Sequence, residues 1–126
     1  MEEDIYKLIL PAGLLEHFIL SEVKELCRIS DKKLFYELHL EEKNVLYNVS
    51  DKSQYESKGF TQITVQDFPL RGKDVFLVIR RRRWRDKSNP KDIVRNDYSY
   101  IAEGSKLTKE LADFLKGTGR YQGRYD

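Results

Sequence analysis

The chain of 126 residues supplies one ordinary domain's worth of material, and no apolar run in it approaches the ~20 residues that span a bilayer. Charged residues make up 35%, at a net charge of +2, and the AVILMFWYC set 40%, with 6 Phe, 8 Tyr and 1 Trp; this allows a buried core beneath a heavily solvated surface and argues against disorder throughout. The acidic start Glu2-Glu3-Asp4 is the opposite of a signal peptide's basic segment, and the single cysteine, Cys27, cannot form an internal disulfide, so the expected compartment is the cytoplasm.

Along the chain, Pro11 suits the first position of a helix and disfavours helical geometry at Leu10, so a helix is expected to start near Pro11. Leu14, Leu15, Phe18 and Ile19 share its apolar face, and Val23 and Leu26 would prolong the stripe. Residues 19–29 fit a strand equally well, and pattern alone leaves that choice open. Lys33–Glu41 predicts a half-buried strand, because Leu34, Tyr36, Leu38 and Leu40 alternate with Phe35, Glu37, His39 and Glu41. Residues 42–58 are rich in turn formers and predict a long loop closed by Gly59.

Thr61–Gln66 and Val75–Ile79 predict two strands of a hairpin joined through Pro69 and Gly72. The second runs into Arg80-Arg81-Arg82-Arg83-Trp84-Arg85, then a polar turn with Asn89-Pro90, then Ile93-Val94-Arg95, which predicts a second hairpin extending beyond the core. Thr108 is a candidate N-cap, with Leu111, Ala112, Phe114 and Leu115 forming a short helix that stops at Gly117. The expected architecture is a single α+β domain over residues 1–116: a small antiparallel sheet with a protruding basic β-hairpin, between an N-terminal and a C-terminal helix. Residues 117–126 have no apolar pattern and are expected to form a mobile tail.

The charge is unevenly placed. Residues 1–56 hold 7 Lys/Arg against 12 Asp/Glu, whereas residues 71–95 hold 10 against 3. Four consecutive arginines cannot be deprotonated and are costly to bury unpaired, so the strand is expected to leave the core at Arg80 and be solvated on both faces. A basic two-stranded ribbon of this kind can enter a DNA groove. The expected contacts are Arg80, Arg81, Arg82, Arg83, Trp84 and Arg85, flanked by Lys87, Lys91 and Arg95 on phosphates. The plainer alternative is a solvated edge strand whose like charges discourage aggregation.

No catalytic or metal chemistry is expected. One Cys and two His, His17 and His39, offer no zinc-ligand spacing, and neither His has a nucleophile that the sequence places beside it. Glu41-Glu42 point to opposite sides of a strand and form no acid/base pair, and Gly117-Thr118-Gly119 follows a helix, unlike a dinucleotide loop. No cofactor is expected.

Taken together, Val65-x-Asp67-Phe68-Pro69-Leu70-Arg71-Gly72-Lys73, the apolar strand running into Arg80–Trp84, and Ile101-Ala102-x-Gly104-Ser105-x-Leu107-Thr108-x-Glu110-Leu111-Ala112-x-Phe114-Leu115 resemble the N-terminal region of a family of bacterial insertion-sequence transposases. Leu10–Phe18 looks like that family's opening helix and Leu38–Lys43 like its following strand. The resemblance, over roughly residues 8–116, implies a zinc-ribbon-like hairpin with a DNA-end-binding role, and makes 19–29 a strand. The cysteine pairs of zinc-bearing relatives, expected near residues 43–58 and after the arginines, are absent, and nothing matches the catalytic carboxylates. The implied function is a non-catalytic, DNA-binding N-terminal region of a transposase, acting on double-stranded DNA at element ends. The alternative is a protein-interaction module whose acidic first half docks the catalytic transposase polypeptide; RNA binding is a third reading.

Overall fold

The computed structural model describes residues 2–98 and 106–125, and the side chains of residues 5–98 and 106–117. In chain order it comprises α1 (Glu2–Ile9), α2 (Leu14–His17), β1 (Phe18–Cys27), β2 (Leu34–Glu42), a 3₁₀ turn at Lys52–Gln54, β3 (Tyr55–Leu70), β4 (Lys73–Asp86), β5 (Ile93–Val94) and α3 (Lys109–Tyr125). The chain is therefore α+β, with strand order β1-β2-β4-β3 and β5 paired to β4. Among the described residues, no helix is long and apolar enough to cross a membrane.

Pro11 acts as a terminator rather than a start. α1 ends at Ile9, before the residue that proline disfavours in a helix, and Gly13 at φ +82° separates it from the single turn α2. The helix expected from Pro11 does not form beyond that turn, because Phe18 swings to extended geometry (φ −127°, ψ 148°) and opens β1. β1 then pairs antiparallel with β2 from Phe18↔Glu42 to Cys27↔Leu34, with a bulge between Leu20 and Glu22. That ladder settles 19–27 as strand: ordered pairing with β2 outweighs the local i, i+4 stripe, which is compatible with either state.

The β2 alternation is present as read, with Leu38 and Leu40 on the core side. Their layer is completed by Val65 of β3 and Val75, Leu77 and Ile79 of β4, and Leu10, Leu14 and Phe18 cover it. The sheet is mixed rather than wholly antiparallel, since β2 and β4 run parallel from Phe35↔Asp74 to Glu41↔Arg80. β3 and β4 form the expected hairpin, turned by Arg71 (φ +56°) and Gly72 (φ +79°), the paired positive dihedrals that match the twist of a two-residue turn. β3 starts at Tyr55, well before the Thr61 suggested by the sequence. Gly59, at φ +96°, sits in a bulge between Ser57 and Phe60 that breaks the alternation and hides the strand, rather than closing a loop.

At the other end, Thr108 caps α3 and Leu111 and Ala112 are buried. α3 does not stop at Gly117 but continues as helix to Tyr125. A glycine lowers helix stability by about 1 kcal/mol and ends a helix only where it adopts the left-handed cap, which Gly117 does not. Ile101, Ala102, Gly104 and Ser105, which carry part of the resemblance, lie outside the described residues.

Candidate nucleic-acid interface

β4 lies inside the sheet. At the arginine run it has β3 on one side, and β2 and then β5 on the other, so the run does not project from the core as a ribbon. The strand stays inside because neighbouring elements supply acceptors for most of its guanidinium groups. Arg80 donates to Glu41 Oε1 at 2.9 Å and Arg82 donates through Nε to the Glu42 carbonyl at 2.8 Å and through Nη1 to Ser57 Oγ at 2.9 Å. Both cations lie against the Phe60 ring, 4.2 and 4.7 Å from its centroid, so one phenyl is shared by two guanidinium groups on the same sheet face.

On the opposite face Arg81 Nη2 donates to the Asn96 carbonyl at 2.6 Å, and Arg85 Nη2 donates to Glu56 Oε1 at 2.7 Å. The Glu56 carboxyl is held below its ordinary range, chiefly by that hydrogen bond. Among the described residues, the buried Nε atoms of Arg81 and Arg85 have no acceptor. Trp84 is 3% exposed and its Nε1 donates to Asn44 Oδ1 at 3.1 Å. It is an interior ring, not the surface contact expected from its place among arginines.

The run is anchored by a buried polar cluster that the sequence did not suggest. The Glu42 carboxylate, 1% exposed, accepts from the Arg82 N–H at 2.9 Å, from Asn96 Nδ2 at 2.8 Å and from the Tyr98 hydroxyl. Asn96 also donates to the Val45 carbonyl and accepts from the Tyr47 N–H, both at 2.8 Å. Burial, reinforced by the Glu42 carboxylate, pushes the Tyr98 phenol well above its ordinary value. A second buried carboxyl, Asp67, accepts from Thr108 Oγ1 at 2.8 Å beside a largely apolar cavity of about 500 Å³; burial raises its pKa.

Among the described residues, Lys58, Arg83, Lys87, Lys91 and Arg95 near this end of the sheet are exposed and make no ion pair, side-chain hydrogen bond or ring contact; Lys52, also exposed, lies over the Tyr47 ring. Lys58 precedes Gly59, where an added Cβ would lie 3.5 Å from Arg83 Nη2, so these two belong to one patch across β3 and β4. Lys87 is fixed by its N–H to the Gln54 carbonyl at 2.8 Å, and Lys91 and Arg95 flank β5. The intervening turn is internally braced, with Asp86 accepting from Ser88 N and Oγ and from Gln54 Nε2. These bonds hold the Asp86 carboxyl below its ordinary range, on a residue that is itself buried. Of the predicted contacts, Arg83, Lys87, Lys91 and Arg95 are thus exposed without a side-chain partner among the described residues, Arg80 is exposed but paired with Glu41, and Arg81, Arg82 and Arg85 are half-buried with partners in the chain. Lys58 was not singled out, because its place beside Arg83 depends on the bulge at Gly59.

Elsewhere, Cys27 is exposed, His17 Nδ1 lies 3.2 Å from the Tyr47 hydroxyl, and His39 Nε2 lies 3.0 Å from Glu37 Oε1. Among the described residues no three His, Cys, Asp or Glu side chains converge as metal ligands would. No protein-family model, curated protein or solved structure matches the chain.

Proposed function

We propose that this protein is a non-enzymatic DNA-binding region of a bacterial transposase, acting in the cytoplasm and contacting duplex DNA through Lys58, Arg83, Lys87, Lys91 and Arg95. The observation that carries the reading is that, among the described residues, these five exposed cations have no side-chain acceptor, while Arg80, Arg81, Arg82 and Arg85 of β4 are paired within the chain. Phosphate oxygens supply what the fold withholds from them, and the paired arginines hold rigid the strand on which Arg83 sits. The transposase context rests on the sequence resemblance.

Salt titration of affinity for a fluorescent duplex carrying an element's terminal repeat, against a scrambled duplex, tests the proposal. Engagement of all five cations gives a slope of log affinity against log salt of roughly −4.5. Absence of duplex affinity at moderate salt removes the reading. The docking alternative draws on α1, which leaves Ile5 and Leu8 exposed; it predicts co-purification with the catalytic polypeptide and no DNA affinity.

A further inference from the structure

The hairpin of β3 and β4 turns at Arg71-Gly72, and at that end of the sheet, away from the arginine run, lies the cavity of about 500 Å³ that Asp67 borders. All of its lining belongs to the described residues. Leu10, Leu38 and Val75 are the buried apolar part of that lining, and Tyr6, Tyr36 and Phe68 add aromatic rings. Leu8, Ile9 and Leu70 line it as well and are exposed, so the cavity opens to solvent. A concave, mostly apolar site of this size with a few convergent polar groups is the form that small-molecule sites take.

The charges in the lining are of one sign. Asp67 and Glu110 are its charged residues, and no lysine or arginine lines it. Asp67 is 4% exposed, and its carboxyl accepts from the Thr108 hydroxyl at 2.8 Å and from the Phe68 N–H, both neutral donors. Glu110 accepts from the Ala12 N–H at 3.4 Å. Burial, with a contribution from the Glu110 charge, raises the Asp67 pKa, so the two carboxyls sense one another. The Lys73 ammonium lies 5.2 Å from the centroid of the Tyr36 ring, but it is committed to Glu25 at 3.2 Å and to the Tyr36 hydroxyl at 3.3 Å. The fold thus sets two like charges beside an apolar hollow without lining it with the cation that would offset them.

We propose that this cavity binds a small apolar primary amine, with its body against Leu38, Val75 and the aromatic rings and its ammonium donating to Asp67 and Glu110. Charge complementarity selects the class. A carboxylate ligand would add a third negative charge, and a neutral one would leave the two acids as they are. An ammonium gives both a charge-assisted hydrogen bond, and the faces of Tyr6 and Phe68 favour a cation further. The buried lining at Leu10, Leu38 and Val75 suits a molecule small enough to enter, rather than a flat partner surface. The inference rests on nothing in the DNA-binding reading.

The test titrates the full chain, without DNA, with 4-phenylbutylamine and with the uncharged 4-phenylbutanol, read by amide chemical shifts in NMR. The amine is expected to bind saturably, with shifts at Asp67, Phe68 and Val75, and about tenfold more tightly than the alcohol. Asp67→Asn, which keeps an acceptor for Thr108, and Glu110→Gln, at an exposed position, should each narrow that gap, and together they should close it. Alcohol binding that persists in the variants shows that their cavity is intact. No saturable amine binding, shifts confined to other parts of the chain, an alcohol that binds as tightly as the amine, or a gap that survives the double substitution overturns the proposal. So does the peptide acetyl-Leu-Phe-Lys-amide displacing the amine at lower concentration, which would put a partner chain in its place.

Discussion

Arg82 and Glu42 grip one another twice: the Arg82 N–H donates to the Glu42 carboxylate at 2.9 Å while the Arg82 Nε donates to the Glu42 carbonyl at 2.8 Å. The pair ties the end of β2 to the middle of the arginine run and sets up the first prediction. Glu42→Ala strands the Arg82 N–H, one Asn96 donor and the Tyr98 hydroxyl in a buried site, and should cost about 3–5 kcal/mol, since each abandoned donor costs about 1–3 kcal/mol and part of that relaxes. Urea unfolding of the variant measures it; a loss below about 1 kcal/mol would show the cluster to be incidental.

Trp84 should report on stability rather than on DNA. Trp84→Ala removes a buried aromatic and the bond to Asn44, and should destabilise by about 3–5 kcal/mol. The intrinsic fluorescence of the parent should change little when duplex DNA is added. A large emission change with little loss of stability in the variant would place the ring at the interface instead.

For DNA, the exposed and the internally paired arginines should separate cleanly. Arg83→Ala combined with Lys87→Ala should flatten the salt slope by roughly 1.8, at roughly 0.9 per phosphate contact, with stability changed by under about 0.5 kcal/mol. Arg82→Ala should leave the slope alone and lower stability by about 1–3 kcal/mol, because Ser57 and the Glu42 carbonyl lose their donor. The assignment fails if Arg82→Ala flattens the slope and the exposed pair does not.

Asp67 gives a pH dependence of definite sign. Burial raises its carboxyl above the ordinary aspartate value, against the smaller opposing pull of the Thr108 hydroxyl. The folded state therefore favours the protonated form; that contribution is complete below the unfolded pKa and is lost as pH rises through the raised one. Relative to Asp67→Asn, which stays neutral, the parent should lose stability as pH rises above the ordinary aspartate range. Melting temperatures of the two proteins across that rise check it, and parallel curves would contradict the argument.

How far the sequence could be read depended on whether an element's determinants were local. The β2 alternation, the turn at Arg71-Gly72 and the Thr108 cap each depend on residues a few positions apart, and all three are present. The arginine run misled because its acceptors come from afar. Glu42 and Ser57 lie 40 and 25 positions from Arg82, and Asn96 lies 15 from Arg81, so a charge block with no local counter-ion looked solvated. β1 was ambiguous for the same reason: Leu14, Leu15, Phe18 and Ile19 satisfy a helical stripe, and only the ladder with β2 decides between the two states.

The parallel pairing of β2 with β4 also bears on the order in which the chain assembles. Every pair in that ladder joins residues 39 apart, as Phe35 with Asp74, whereas the β3–β4 ladder grows from Leu70 and Lys73 at the turn. Closing the long loop costs entropy before any contact repays it, so the hairpin forms first and β2, carrying β1 with it, docks afterwards. In stopped-flow refolding, substitutions at Arg71 or Gly72 should then slow folding, while substitutions in β1 should act mainly by hastening unfolding. The central seam of the sheet is the last part to close, and until it does the arginines of β4 remain in water without the acceptors that later hold them.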